Sequence, residues 1–116
     1  MYSLTLPYPP SVNHYLRRGK HGVYQTPEAV AYKEEAALTA RLEGVEPLAG
    51  EVVVVMGIYR PRKVGDIDGV FKVVFDALNG VAWFDDKQIV ELTARRHDDK
   101  HHPRIELVIW QKGEEL

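Results

Sequence analysis

The sequence predicts a single α+β domain in which two main helices pack on a mixed β-sheet. Three observations lead to this prediction. The sequence contains runs of β-branched residues that indicate strands, and two stretches with helical signals. Predicted strands and helices alternate along the chain until two strands end it. The predicted order is β-α-β-α-β-β. A chain of 116 residues has the length of one domain with its own hydrophobic core, so we expect residues 1–116 to form one unit.

The first predicted strand, residues 3–6, stops at Pro7, and a proline-rich bend follows it. Residues 13–25 show neither helical nor strand periodicity. Because this segment contains two glycines and several cations, we expect a mobile basic loop of the kind that becomes ordered on a phosphate backbone.

The first helix is predicted to begin with Thr26 as its N-cap and Pro27 as its first residue, and to run to Leu42 before Gly44. Residues 51–59 are too rich in β-branched side chains for a comfortable helix. They predict a central strand that is covered on both faces.

The second helix is predicted from apolar residues at positions 67, 70, 71, 74 and 78, and Asn79-Gly80 ends it. Residues 88–97 and 104–111 indicate two further strands. A polar turn at residues 98–103 joins them, so we expect an antiparallel hairpin.

Composition excludes several classes of protein. The hydrophobic fraction of 45% and charged fraction of 28% are ordinary for a soluble protein, and no apolar run approaches the roughly 20 residues that cross a bilayer. There is no cysteine, and residues 1–10 do not resemble a secretory signal. We therefore expect a cytoplasmic protein with no membrane partner and no disulfide or thiolate chemistry.

The most informative residues are Asp66 and Asp68, which flank Ile67, and the pair Asp85-Asp86. In extended backbone, Asp66 and Asp68 would share one face while Ile67 enters the core, which is a chelating arrangement. The alternative is structural, because aspartate also favours the N-cap and first turn of a helix.

Carboxylates at this density are best tolerated when a cation neutralises them. If Asp66, Asp68 and Asp86 meet, they supply hard oxygen ligands suited to Mg²⁺ or Mn²⁺, and such a site hydrolyses phosphodiesters well. Lys72 would add a cation near the scissile phosphate or orient the attacking water. Alternatively, Lys72 bridges Asp68 and Asp76 along one helix face.

Basic residues surround this acidic centre, although the formal net charge of −2 argues against a strongly basic nucleic-acid binder. Three patches are candidates for a polyanion path, with a solvated surface as the alternative for each. They comprise Arg17, Arg18 and Lys20; Arg60, Arg62 and Lys63; and Arg95, Arg96, Lys100 and Arg104.

Two other groups have competing interpretations. His97, His101 and His102 could be zinc ligands, but their spacing fits a solvated turn better. Trp83 and Phe84 could stack on bases, or could be core or interface anchors. The segment from Val81 to Phe84 is a candidate interface patch.

At this point the residues resemble a known family. The run from Asp66 to Gly80 and the segment from Trp83 to Ile89 are similar to the RusA family of Holliday-junction resolvases, whose pattern is D-x-D-N-x-x-K, then D-A-L, then D-D-x-Q-(I/V). The opening from Leu6 to Asn13 is also similar, so the resemblance covers nearly the whole chain.

The resemblance implies a homodimeric, Mg²⁺-dependent endonuclease that cuts four-way DNA symmetrically during recombination and repair. By matching positions, it implies that Asp66, Asp68 and Asp86 bind metal and act in catalysis, with Lys72 as the essential basic residue. The basic segment at residues 17–20 would then reach toward DNA.

One position departs from the family pattern, because Gly69 stands where the family has asparagine. Loss of this amide is expected to alter the rate or selectivity rather than the chemistry. The alternatives to a resolvase are a nuclease for other branched DNA, a junction-binding module without catalysis, and a small metal-binding domain without a nucleic-acid role.

Overall fold

The computed structural model of the chain describes residues 1–11 and 15–114. Its main sheet contains four strands, and two helices cover one of the sheet's faces. The strands of this sheet are β1 (Tyr2–Pro7), β4 (Val52–Arg60), β5 (Ile89–Asp98) and β6 (Arg104–Gln111); a separate hairpin is formed by β2 (Leu16–Gly19) and β3 (Gly22–Gln25). The predicted single α+β layer and its order are confirmed.

Helix α1 (Pro27–Leu42) begins where the sequence predicted. The Thr26 hydroxyl accepts a hydrogen bond from the backbone N–H of Ala29 at 3.2 Å, which satisfies one of the free donors of the first turn. After the helix, Gly44 adopts a φ of +84°, a conformation that favours glycine. The cap, the proline and the glycine therefore fix both ends of α1.

The second helical segment has two parts. A 3₁₀ turn over Ile67–Val70 leads directly into α2 (Phe71–Leu78). The apolar stripe of α2 faces the core through Val73, Val74 and Leu78, which are all buried. Ile67 is an exception, because 39% of its surface is exposed and it does not enter the core as predicted.

The sheet order is β1-β6-β4-β5, with β4 parallel to β5 and antiparallel to β6. The predicted hairpin between β5 and β6 is therefore wrong, because β4 lies between them. Helix α2 connects β4 to the parallel strand β5, and the turn after β5 then carries the chain across the end of β4. Asp99 marks this crossing, where its N–H donates to the carbonyl of Arg60 at 2.9 Å.

The core lies between the sheet and the helices. Val54, Ile58, Leu107 and Ile109 point toward the helices and are essentially buried, as is Trp83. The opposite face has no helix over it among the described residues, and Val55 on that face is 37% exposed. The prediction that β4 is central is confirmed, whereas the prediction that it is covered on both faces is wrong.

The basic segment is more regular than predicted. Residues 16–25 form the β2–β3 hairpin, in which Arg17 pairs with Tyr24 and Arg18 pairs with Val23. Asn13 and His14, which the prediction of a mobile loop also included, lie outside the described residues. No helix in the described part of the chain is long and apolar enough to cross a membrane.

Candidate functional site

A cleft of about 800 Å³ opens beside the segment that follows β4. One wall comes from the proline-rich stretch after β1, including Pro9 and Pro10. The other wall comes from the loop and 3₁₀ turn that lead into α2, and it includes four of the predicted site residues: Arg62, Asp66, Asp68 and Lys72. The short spacing of these residues in the sequence is what brings them to one wall.

Asp66 and Asp68 both line this cleft. Asp66 has extended backbone, with φ −93° and ψ 157°, at the N-terminus of the 3₁₀ turn, yet its side chain makes no capping hydrogen bond. Within residues 1–11 and 15–114, neither carboxylate has a hydrogen bond or ion pair. The structural alternative, in which Asp66 serves as a helix cap, is therefore not supported by its side chain.

The geometry that places Asp66 and Asp68 together differs from the prediction. They do not alternate along an extended strand with Ile67 between them, because Ile67 is the first residue of the 3₁₀ turn. The turn carries Asp68 to the same cleft wall as Asp66. The shared location is thus produced by the tight turn and not by strand alternation.

Lys72 lies one turn of helix beyond Asp68 on the same wall. Its ammonium Nζ is 3.3 Å from the Oδ2 atom of Asp76 and its side chain is 64% exposed. Of the predicted bridge from Lys72 to Asp68 and Asp76, only the contact with Asp76 is present among the described residues. The ammonium group nevertheless remains accessible from the cleft.

Asp86 is not one of the residues that line the cleft. It begins a short 3₁₀ turn over Asp86–Gln88, which Asp85 caps by accepting a hydrogen bond from the N–H of Lys87 at 2.9 Å. This bond lowers the pKa of Asp85. Burial raises the pKa of Asp86, and the neighbouring carboxylates of Asp85 and Asp76 raise it further.

The donor set therefore fits a hard divalent cation in part. Two exposed carboxylates, Asp66 and Asp68, which have no side-chain partner in the described part of the chain, offer the oxygen ligands that Mg²⁺ and Mn²⁺ prefer. Throughout the described ranges, however, no group of three or more His, Asp or Glu side chains is close enough to hold a metal ion. The role of Asp86 as the third ligand stays a prediction.

The predicted basic residues occupy different surroundings. Arg17, Arg18 and Lys20 are exposed on the β2–β3 hairpin, and Arg62 lines the cleft. Arg60 instead forms a close ion pair with Asp98, and the Nζ of Lys63 lies 3.7 Å from the same carboxylate. Arg60 is thus held by a structural contact at the end of β4.

The late histidines do not form a metal site in the described chain. The rings of His97 and Tyr59 stack with their centroids 4.8 Å apart. His101 and His102 donate backbone N–H groups to the Asp99 carboxylate at 3.2 and 3.0 Å. His101 and His102 therefore lie in the solvated turn that the sequence favoured, whereas His97 lies in β5.

The aromatic segment divides between core and surface. Trp83 is fully buried and its indole N–H donates to the Asn79 side chain at 2.7 Å, whereas Phe84 is 63% exposed. Val81 and Ala82 are also buried. The segment as a whole is therefore not a free apolar interface patch, and the core alternative is correct for Trp83.

Two residues beside this site, Tyr15 and Asp76, were not among the predicted site residues, and Asp76 was considered only as a structural partner of Lys72. Tyr15 lay in the predicted loop, yet it is 2% exposed and its hydroxyl donates to Asp76 at 2.6 Å. Asp76 belongs to the D-A-L segment of the family pattern, which was the one available signal. The two residues are 61 positions apart in the sequence, and nothing in the sequence indicated that they meet.

A cleft with free carboxylates and a lysine defines a candidate hydrolase of phosphodiesters, and comparison with known proteins gives the family. Residues 7–110 match the family model described as Endodeoxyribonuclease RusA. The chain is also 32% identical, over 98% of its length and 98% of theirs, to proteins named crossover junction endodeoxyribonuclease RusA from Escherichia coli, Shigella sonnei and enterobacteria phage 82. The chain belongs to the RusA endodeoxyribonuclease family.

Proposed function

We propose that this protein is a metal-dependent endodeoxyribonuclease that resolves four-way DNA junctions by paired, symmetric cleavage of two phosphodiesters, in DNA recombination and repair. The observation that carries the proposal is the cleft wall on which Asp66, Asp68 and Lys72 lie together. Family membership supports the same activity, because the relatives are named for crossover junctions.

Asp66 and Asp68 would hold the metal ion, with Asp86 as the further carboxylate that the family pattern implies. Mg²⁺ is the expected ion and Mn²⁺ is an alternative, because both prefer oxygen ligands. When bound, such an ion lowers the pKa of a coordinated water molecule and neutralises charge on the phosphate.

Lys72 would act on the scissile phosphate directly. Attack of water on phosphorus forms one P–O bond and breaks the bond to the leaving sugar oxygen, while negative charge accumulates on the non-bridging oxygens. An ammonium group on the cleft wall stabilises that charge more in the transition state than in the substrate. Arg62, on the same wall, would bind a neighbouring phosphate.

The exposed cations of the β2–β3 hairpin would bind the DNA backbone beyond the cleft. Among residues 1–11 and 15–114, Arg17, Arg18 and Lys20 make no ion pair, and each cation that neutralises a phosphate releases counterions. Arg62 and Lys63 extend this binding path on the other side, while Arg60 contributes to it only if its ion pair with Asp98 opens.

We infer that the protein acts as a homodimer in the cytoplasm. A four-way junction is nearly two-fold symmetric, so two equivalent sites can make the two nicks. Light scattering should give a mass twice that of the 13.2 kDa chain. A monomeric mass in the presence of junction DNA would contradict the dimer.

The test is cleavage of a labelled four-way junction beside linear duplex of the same sequence, with Mg²⁺ or with chelator. Wild type should make paired nicks on the junction alone, and only with metal. Asp68→Asn should reduce the rate at least about a hundredfold, since it removes a ligand charge while keeping its shape. Glu34→Gln, an exposed change on α1, is the matched control.

The outcomes separate the alternatives. Cutting of flaps or forks in preference to junctions would indicate a nuclease for other branched DNA. Tight junction binding without cutting by wild type would indicate a binding module. Full activity of Asp68→Asn would exclude this cleft as the site.

A further inference from the structure

We propose that Asp76 is a positioning residue that fixes both Lys72 and the base of the basic hairpin relative to the cleft. This inference rests on the proposed function. The structural basis is that one carboxylate oxygen, Asp76 Oδ2, lies within hydrogen-bond or ion-pair distance of groups from three parts of the chain. They are the Tyr15 hydroxyl at 2.6 Å, Lys72 Nζ at 3.3 Å and Lys33 Nζ at 3.8 Å.

The hydrogen bond from Tyr15 is what distinguishes this contact from an ordinary surface ion pair. An isolated pair between exposed Lys72 and a carboxylate four residues away would order the lysine little. Here the carboxylate is itself held, because Asp76 is only 22% exposed and its partner Tyr15 is buried. A fixed acceptor gives Lys72 a preferred position on the cleft wall.

Tyr15 is suited to remain a donor. Burial raises the pKa of its hydroxyl above the ordinary value, and the hydrogen bond to Asp76 and the charge of Asp76 raise it further. The Lys33 ammonium lies 5.1 Å from the centre of the Tyr15 ring, over its face. The residue is therefore held by its ring as well as by its hydroxyl.

Tyr15 also stands at the point where the hairpin joins the body of the protein. Tyr15 directly precedes β2, and Thr26 directly follows β3. The Tyr15 carbonyl accepts a hydrogen bond from the Thr26 N–H at 3.0 Å, which closes the base of the hairpin. Within the hairpin, Leu16, Val23 and Tyr24 are all exposed. With so little apolar packing along its length, the hairpin depends on its base for its position.

The network thus connects the candidate catalytic lysine with the DNA-binding hairpin. Lys72 and Asp76 are on α2, Lys33 is on α1, and Tyr15 precedes Arg17 and Arg18. The Asp76 carboxylate thus fixes the positions of α1, α2 and the start of the hairpin relative to one another. Loss of Asp76 should therefore disturb the alignment of a bound phosphate with Lys72 more than it disturbs binding.

The experiment compares Asp76→Asn, Tyr15→Phe and the control Glu34→Gln with wild type. Single-turnover cleavage of a four-way junction is measured with Mg²⁺ at saturating protein, and junction affinity is measured separately with chelator. Hydrogen exchange of the amides of residues 16–25 reports on the hairpin. All measurements are made well below the melting temperature of each variant.

For Asp76→Asn we expect the cleavage rate to fall about tenfold, the factor that one hydrogen bond to a charged group can contribute. Junction affinity should be unchanged or higher, because a negative charge has been removed from the DNA-binding side. General loss of structure would lower the cleavage rate and the junction affinity together. A lower rate with unchanged affinity therefore identifies a positioning role.

For Tyr15→Phe we expect a smaller loss of rate and faster amide exchange in the hairpin. Adding Tyr15→Phe to Asp76→Asn should lower the rate little further, because both changes remove the same contact. Tyr15→Phe keeps the ring and its burial, so it tests the proposal even if Asp76→Asn does not fold.

An unchanged rate in folded Asp76→Asn would overturn the inference, as would equal losses in rate and affinity. Normal hairpin exchange in Tyr15→Phe would overturn the part that concerns the hairpin. If wild type itself cut no junction, the proposed function would fail, and exchange in the hairpin would still decide whether Tyr15 anchors it.

Discussion

At the scale of single residues, Gly69 is the one departure from the family pattern on the cleft wall. Its backbone does not need glycine, because it is not among the glycines with positive φ. A Cβ atom built at this position meets no other atom within 4 Å. The departure is therefore tolerated by the fold without being required by it.

Replacing Gly69 with Asn should restore an amide beside Asp68 and narrow the conformational freedom of the unfolded chain. We expect Gly69→Asn to fold normally, to gain up to about 0.5 kcal/mol of stability, and to cut junctions several-fold faster. Urea unfolding and single-turnover cleavage measure these effects. Slower cleavage by Gly69→Asn would mean that the substrate occupies the open space beside Gly69, which the asparagine side chain would then block.

Asp99 organises the turn after β5 and gives a prediction on pH. Hydrogen bonds from the N–H of His102 and from the Arg104 side chain lower the pKa of its carboxyl. A depressed folded-state pKa contributes stability above the unfolded value of about 3.9, and that contribution is lost as pH falls through the folded-state value.

Asp99→Asn should therefore lower the melting temperature modestly at pH 7. The difference from wild type should shrink as the pH is lowered below about 4, where the wild-type carboxyl also loses its charge. Thermal unfolding followed at several pH values tests this. A difference that stays constant with pH would assign the effect to side-chain shape and not to charge.

At the scale of elements, the β2–β3 hairpin carries the exposed cations Arg17, Arg18 and Lys20, which we propose bind DNA. Replacing Arg17 and Arg18 with Ala should weaken junction binding and reduce the slope of log affinity against log salt by about 1 to 2, since about one counterion is released per phosphate contact. Arg41→Ala, on the exposed end of α1, is the control. An unchanged slope would remove the hairpin from the DNA path.

The elements also show what sequence can and cannot predict. The start of α1 followed from Thr26 and Pro27, because capping is local chemistry. The strand that pairs with β5 could not be predicted in this way, because strand periodicity does not indicate which neighbour a strand pairs with. The short polar turn suggested a hairpin, yet the crossover through α2 had already placed β5 beside β4.

Some residues of the candidate site could be placed from the sequence, and others could not. The motif spacing placed Asp66, Asp68 and Lys72 on one wall, because a 3₁₀ turn and one turn of helix link them. It could not place Asp86, whose distance from that wall depends on the whole fold. Tyr15 was missed for the same physical reason, since its contact with Asp76 closes a long loop.

At the scale of the whole molecule, the candidate site residues lie outside the sheet, on the loop and helical segment that follow β4. The central strand β4 pairs with β5 on one side and β6 on the other, and its helix-facing residues are buried. The cleft and the turn at Asp99 both lie where β4 ends. The candidate site is thus attached to a strand that is paired on both sides and buried toward the helices.

The contact between Tyr15 and Thr26 has one further consequence. The chain leaves the body of the protein at Tyr15 and returns to it at Thr26, only one hydrogen bond away. A segment with such closely spaced ends can be lengthened, shortened or exchanged without displacing the sheet. We expect the reach of this protein along DNA to be adjustable by grafting hairpins of other lengths between these two residues, with the cleft left as it is.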